Sequence, residues 1–101
     1  KAALVLLTKQ LAMELGARGI TVNAVCPGAV DTEATLPGGT LHEALKDIRA
    51  SQRRNTILGR IGTAADVAGV VAFLASDDAA FLTAQAISVD GGRTDFLTRS
   101  G

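Results

Sequence analysis

The sequence predicts an α/β fold built on a parallel sheet, and three observations carry that prediction. Apolar residues switch along the chain between the three- and four-residue spacing of helices and the short β-branched runs of buried strands. Ile20, Val22, Ala24 and Val25 form one such run, too short for a buried helix and bounded by Gly19 and Pro27. The resulting order is helix, strand, irregular insert, helix, strand, a unit that closes by a right-handed crossover into a parallel sheet.

Taken in order, Leu4, Leu7, Leu11 and Leu15 recur at helical spacing, with Val5 and Ala12 beside them. They predict an amphipathic helix of about 18 residues, ended by Gly16 or Gly19. Ala2, Ala3 and Ala12 are small enough to let another helix approach closely. No Ser, Thr, Asp or Asn cap precedes Ala2, so the chain reads as beginning inside a helix.

The strand from Ile20 ends at Pro27-Gly28, where proline has no N–H for the ladder and glycine tolerates unusual backbone angles. Ala29, Val30, Asp31 and Thr32 follow at the carboxyl end of the strand, the end at which open α/β sheets bind ligands.

Residues 33–56 read as a lid-like insert. Pro37-Gly38-Gly39 breaks the chain, and Leu41, Ala44, Leu45 and Ile48 then predict a weakly amphipathic helix. Lys46, Asp47, Arg49, Arg53 and Arg54 fall on its charged face. Thr63 and Asp66 form a capping box with Asp in place of the usual Glu or Gln. Val67, Val70, Val71 and Leu74 give the buried stripe of the helix that follows, which ends near Ser76-Asp77-Asp78. Residues 79–85 form an irregular connection, and Ala86 to Val89 a second strand closed by Asp90-Gly91-Gly92. Two strands make no stable sheet, and parallel sheets are covered on both faces. The unit therefore reads as one edge of a larger sheet, with an apolar face exposed when it stands alone.

Composition excludes several function classes. The chain has 101 residues, and its ten basic and ten acidic residues cancel. Nothing attracts nucleic acid or an anionic membrane over long range. Hydrophobic residues reach 48%, yet no run approaches the roughly 18 apolar residues of a membrane span. The single cysteine, Cys26, fits a reducing compartment and reads as a small core residue. No signal peptide is evident. His42 has no neighbours at metal-ligand spacing other than Glu43 and reads as an exposed helical histidine, so no metal is expected. Neither a Gly-x-Gly-x-x-Gly nor a Walker loop occurs among these residues.

Several motifs, in order and at consistent spacing, carry a family resemblance. They are Lys1-Ala2-Ala3-Leu4, Asn23-Ala24-Val25-Cys26-Pro27-Gly28, Thr32, Gly59-Arg60-Ile61-Gly62, Asp66-Val67-Ala68 and Ser88-Val89-Asp90-Gly91-Gly92. Together they resemble the C-terminal part of a short-chain dehydrogenase/reductase, across nearly the whole chain. The resemblance implies the C-terminal portion of a Rossmann-type doubly wound parallel sheet, with residues 1–101 forming part of a single domain and 33–56 its substrate loop. It implies a cytoplasmic enzyme that moves a hydride between NAD or NADP and an alcohol or carbonyl, a 3-oxoacyl group among the options.

In that family a Tyr stands four residues before a Lys, and Lys1 matches that lysine. An ammonium close to a phenol favours the phenolate and lowers its pKa toward the working pH, and its donors can also hold ribose hydroxyls. By the same resemblance Pro27, Gly28, Val30 and Thr32 would hold the nicotinamide carboxamide, and Ala29, Leu36, Leu41 and Leu45 would meet the substrate. The first helix would pair with its mate in a four-helix bundle, and the helix at 64–76 with the strand at 86–89 would form a second two-fold contact, giving a tetramer or dimer.

Two departures are mild: Ala64-Ala65 stands where the family often has Pro and Glu, and Thr83-Ala84-Gln85 where it usually has Thr-Gly-Gln. The larger one is that the glycine-rich loop, the active-site Ser and the Tyr are not among these residues, so the 101 residues alone are expected to be inactive. The rival class is a non-catalytic relative acting as an association module through its helix faces, which cofactor turnover would discriminate.

Overall fold

A computed structural model describes residues 2–94. The elements are α1 (Ala2–Leu15), β1 (Ala24–Pro27), α2 (His42–Arg54), α3 (Ala64–Leu74) and β2 (Ala86–Val89), with single 3-10 turns at Gly16–Arg18 and Asp77–Ala79. β1 and β2 pair as a two-stranded parallel sheet. The chain divides into two compact units. One runs from the start of the chain to Cys26 and includes Ala68–Ser88; the other is Pro27–Val67 with the residues from Val89 onward.

In the first unit, α1 stops at Leu15, and Gly19 then takes a left-handed φ of 75°. The buried residues of α1 are Thr8 and Ala12, flanked on the same face by half-buried Val5 and Leu15. Leu4 and Leu7 are half exposed or more, as are Leu6 and Met13, an apolar face of the kind expected of a unit standing alone. Ala24 and Ala79 are the unit's other buried apolar residues, and the Thr8 hydroxyl donates to the Leu4 carbonyl at 2.7 Å. Val71, expected in the buried stripe of α3, is likewise exposed.

The strand expected from Ile20 begins only at Ala24. Residues 20–23 take up other hydrogen bonds. The Val22 amide donates to the Thr83 hydroxyl at 3.1 Å, and the Ala84 amide to the Val22 carbonyl at 2.8 Å. The Asn23 side chain donates to the Leu82 carbonyl and accepts from the Gln85 amide, each at 3.1 Å. The ladder starts beyond this, where the Ala24 amide donates to the Gln85 carbonyl at 2.8 Å.

That clasp passes through Ala84, the departure in Thr83-Ala84-Gln85. Ala84 holds a φ of 62°, the only positive φ outside glycine among the described residues. An L side chain is strained there, whereas glycine is at ease. Ala84→Gly is therefore expected to stabilise the protein by about 1 kcal/mol, the relieved strain outweighing the added freedom of the unfolded chain. A higher thermal midpoint checks it; a lower one contradicts it.

In the second unit, the Thr63–Asp66 capping box forms reciprocally. The Thr63 amide donates to Asp66 Oδ2 at 2.8 Å and the Asp66 amide to Thr63 Oγ1 at 3.2 Å. Arg60 grips the same carboxylate through two bonds, of 2.7 and 3.2 Å. The Arg60 bond and the Thr63 amide hold the Asp66 carboxyl well below the usual carboxylate range, and Arg60 is raised in return. The pair faces solvent, so screening leaves it a small part in stability. Val30 and Gly62 form an isolated parallel bridge, and Thr56 and Arg93 an antiparallel one. Amides of Ile57, Leu58 and Thr94 extend the latter contact by donating to the carbonyls of Gly92, Gly91 and Asn55. Gly91 and Gly92 both take left-handed angles, of 64° and 76°, which turn the chain sharply out of β2.

Candidate functional site

The expected site residues Pro27, Gly28, Ala29, Val30 and Thr32 all lie in the second unit, on the turn that ends β1. Packing holds that turn tightly. The Gly28 amide donates to the Val89 carbonyl at 3.0 Å, and a Cβ placed on Gly28 would stand 2.7 Å from Asp90 Cβ. Only glycine fits so close to β2's exit.

Beyond Gly28 the chain is fixed to residue 62. The Gly62 amide donates to the Ala29 carbonyl and the Asp31 amide to the Gly62 carbonyl, both at 2.9 Å. In a parallel bridge of this kind the residues on either side of Val30 supply the bonds to the partner, so Val30's own N–H and C=O face the opposite way. Neither makes a hydrogen bond among the described residues. The Thr32 hydroxyl, two residues on and exposed, also makes none among them. Held donors and acceptors spaced this way can receive a planar amide: one N–H for its oxygen, and a carbonyl and a hydroxyl for its NH₂.

Thr32 is fixed in turn by the start of the insert. Its amide donates to the Thr35 hydroxyl at 2.8 Å, and its carbonyl accepts from the amides of Thr35 and Leu36 at 3.0 and 3.1 Å. His42 is not the exposed histidine expected; it is half-buried, with Nδ1 2.9 Å from the Thr35 carbonyl oxygen.

Two clefts adjoin the turn. One, of about 270 Å³, is lined by Pro27, Gly28, Ala29, Gln52, Asn55, Thr56, Asp90 and Arg93. The other, of about 210 Å³, is lined by Ala29, Leu58, Arg60, Gly62, Asp66, Val89, Asp90 and Gly91. Ala29 borders both. Leu36 and Leu41 stand exposed and Leu45 half-buried, and none of the three lines either cleft. No motif in the sequence marks Gln52, Asn55, Thr56 or Arg93. Their only signal was polarity at the end of a helix and just past a Gly-Gly turn. Lys1 lies outside the described residues.

A turn presenting backbone groups at the carboxyl end of a parallel strand stands where doubly wound α/β proteins bind their ligands. Comparison with known proteins narrows the class. The family described as Enoyl-(Acyl carrier protein) reductase matches residues 1–94. The chain is 42% identical over 94 residues to 2-(S)-hydroxypropyl-CoM dehydrogenase 3 of Xanthobacter autotrophicus, covering 93% of this chain and 37% of that protein. It is 46% identical over 93 residues to the 3-oxoacyl-(acyl-carrier-protein) reductase FabG of Haemophilus influenzae, covering 91% of this chain and 36% of that one. Among solved structures it is similar to a 3-oxoacyl-(acyl-carrier protein) reductase from Brucella melitensis, with a TM-score of 0.81 and 34% identity over 92% of this chain and 32% of that one. It is also similar to 4-hydroxyisoleucine dehydrogenase complexed with NADH, with a TM-score of 0.76 and 35% identity over 90% of this chain and 36% of that one. The chain belongs to the short-chain dehydrogenase/reductase family and carries the C-terminal part of its Rossmann-type fold. It spans about a third of the length of the relatives it matches.

Proposed function

We propose that the natural protein carrying this chain is an NAD- or NADP-dependent oxidoreductase acting on an alcohol or carbonyl, with the 3-oxoacyl class as its first candidate substrate. The observation that carries this reading is the Val30–Thr32 segment. Its outward N–H, C=O and hydroxyl match the amide of a nicotinamide, while Pro27 and Gly28 fix the turn that aims them. When bound, a nicotinamide supplies or accepts the hydride. The chain's own residues bind and orient: Val30 and Thr32 hold the carboxamide and so select which ring face meets the substrate. Lys1 tunes the phenol of a Tyr four residues before it and holds ribose hydroxyls. That phenol gives a proton to the substrate oxygen during reduction and takes one back during oxidation. Ala29 sits at the cleft border where substrate would enter, and Leu36, Leu41 and Leu45 belong to the insert that would meet it.

The chain works as part of one domain whose remaining strands complete the sheet. The exposed Leu4, Leu6, Leu7 and Met13 of α1 serve as the face of a homo-oligomer. No helix among the described residues is long and apolar enough to cross a membrane, and the half-buried free thiol of Cys26 suits a cytoplasmic enzyme. The support for the substrate class is the similarity to 3-oxoacyl reductases. The test is transfer of deuterium from C4-deuterated NADH or NADPH to a 3-oxoacyl thioester. Label at the product carbinol carbon is expected, and no transfer to this or any simple ketone contradicts the proposal.

A further inference from the structure

Between Val30 and Thr32 stands Asp31, a residue the nicotinamide reading does not use. Its Oδ1 accepts from Arg49 Nε at 3.1 Å and from Arg49 Nη2 more closely still. The same oxygen accepts from the Thr35 hydroxyl at 3.2 Å, and Thr35 receives the Thr32 amide at 2.8 Å. The Thr35 proton has a second acceptor in the Thr32 carbonyl at 3.0 Å, but the charged oxygen is the stronger one. A continuous chain of hydrogen bonds therefore runs from Arg49 through Asp31 and Thr35 to the backbone of Thr32. The third guanidinium nitrogen, Nη1, donates to Gln52 Oε1 at 3.1 Å, and Gln52 lines the cleft beside Pro27 and Gly28.

This is not an ordinary surface pair. The Arg49 side chain is only 13% exposed and that of Asp31 29%, although Arg49 lies on what the sequence reads as a solvated helix face. A rigid guanidinium fork with all three nitrogens engaged specifies direction as well as charge. An ammonium in its place would keep the charge and lose the fork.

We propose that Arg49 is a positioning residue: acting through Asp31, it clamps the Val30–Thr32 segment in the conformation that receives the carboxamide and so ties α2 of the insert to the cofactor. The proposal rests on the nicotinamide reading. The insert's helix and the cofactor-binding turn then share one ion pair, and a displacement of α2 is felt at Val30 and Thr32.

The test uses calorimetric titration of the natural protein with NADH and NADPH. Titrations with ADP-ribose and its 2′-phosphate, which lack the nicotinamide, run in parallel. Arg49→Ala is expected to weaken binding of the preferred reduced cofactor about tenfold, the equivalent of one or two lost hydrogen bonds. The matching ADP-ribose, whose contacts lie elsewhere, should stay within about twofold. Arg49→Lys should show a smaller loss of the same kind, and the double exchange Asp31→Arg with Arg49→Asp should recover part of it. Equal binding by wild type and both Arg49 variants would overturn the clamp and leave the nicotinamide reading standing. So would an equal loss for both kinds of nucleotide in Arg49→Lys, whose thermal midpoint separates unfolding from misplacement. A wild-type protein that binds NADH and NADPH no better than the ADP-riboses would remove the nicotinamide reading itself, and the clamp with it.

Discussion

Replacing Lys1 with methionine is expected to lower kcat by roughly a hundred- to ten-thousand-fold, the usual contribution of positioned acid–base catalysis. The catalyst proposed above is a phenol, whose unperturbed pKa is about 10. A neighbouring ammonium stabilises the phenolate and brings that value down toward neutrality. Methionine keeps the length and apolar stem of lysine and removes only the charge and its donors. Alcohol oxidation, which needs the phenolate, should therefore lose most activity at neutral pH and recover part of it as pH rises. The KM for the cofactor should rise as well, since in the proposed reading the same ammonium would hold ribose hydroxyls. A pH profile of kcat/KM checks the prediction; an unchanged profile in Lys1→Met would remove Lys1 from the acid–base machinery.

Gly28→Ala is the second large effect, and it rests on distance alone. The added methyl would come within 2.7 Å of Asp90 Cβ and 2.9 Å of Asp90 Cα. The second of these is backbone, so neither neighbour can rotate out of the way, and the Pro27 turn or the exit of β2 must shift. Overpacking of this kind costs about 1–3 kcal/mol. The shift also moves Val30 and Thr32, so a KM for cofactor raised about tenfold should accompany the lower melting temperature. Gly69→Ala is the matched control. It lies inside α3 with nothing within 4 Å of the new methyl, and there alanine should stabilise by about 0.5–1 kcal/mol. Similar behaviour of the two variants would mean that the close approach at Gly28 does not govern the site.

The parts legible in the sequence are those that local chemistry decides. Thr63 and Asp66 announced their reciprocal cap by spacing alone, and Ala86 to Val89 announced β2 by composition. The Pro27-Gly28 turn was legible because proline ends a ladder and glycine permits a close approach. Where tertiary packing chooses among local options, the sequence misled. A helical wheel marks Leu4 and Leu7 as an apolar stripe, but it does not say that Thr8 and Ala12 are the buried pair. Ile20 and Val22 have every property of strand residues, but the clasp with Thr83 and Ala84 takes their backbone bonds. In the sequence Ala84 is a mild departure, and only its positive φ shows that glycine would be at ease there.

The same holds at the site. Arg49 reads as one charge among several on a solvated helix face, and only the folded chain brings it onto Asp31, eighteen residues away. Gln52, Asn55, Thr56 and Arg93 carry no motif, because a cleft wall assembled from a helix end and a strand exit has no fixed spacing. Composition and periodicity do not say which way the amide and carbonyl of Val30 face, and only the family resemblance singles the residue out; their orientation follows from its bridge to Gly62.

In the proposed reading Val30 and Thr32 grip a nicotinamide in one orientation. It is tested most directly with NADH or NADPH deuterated on one face of C4 and then on the other, each used to reduce the same ketone. The account predicts deuterium in the alcohol from one face only, and a Thr32→Val variant that transfers more slowly with the same preference or a weakened one. Label arriving equally from both faces in the wild-type protein would contradict it.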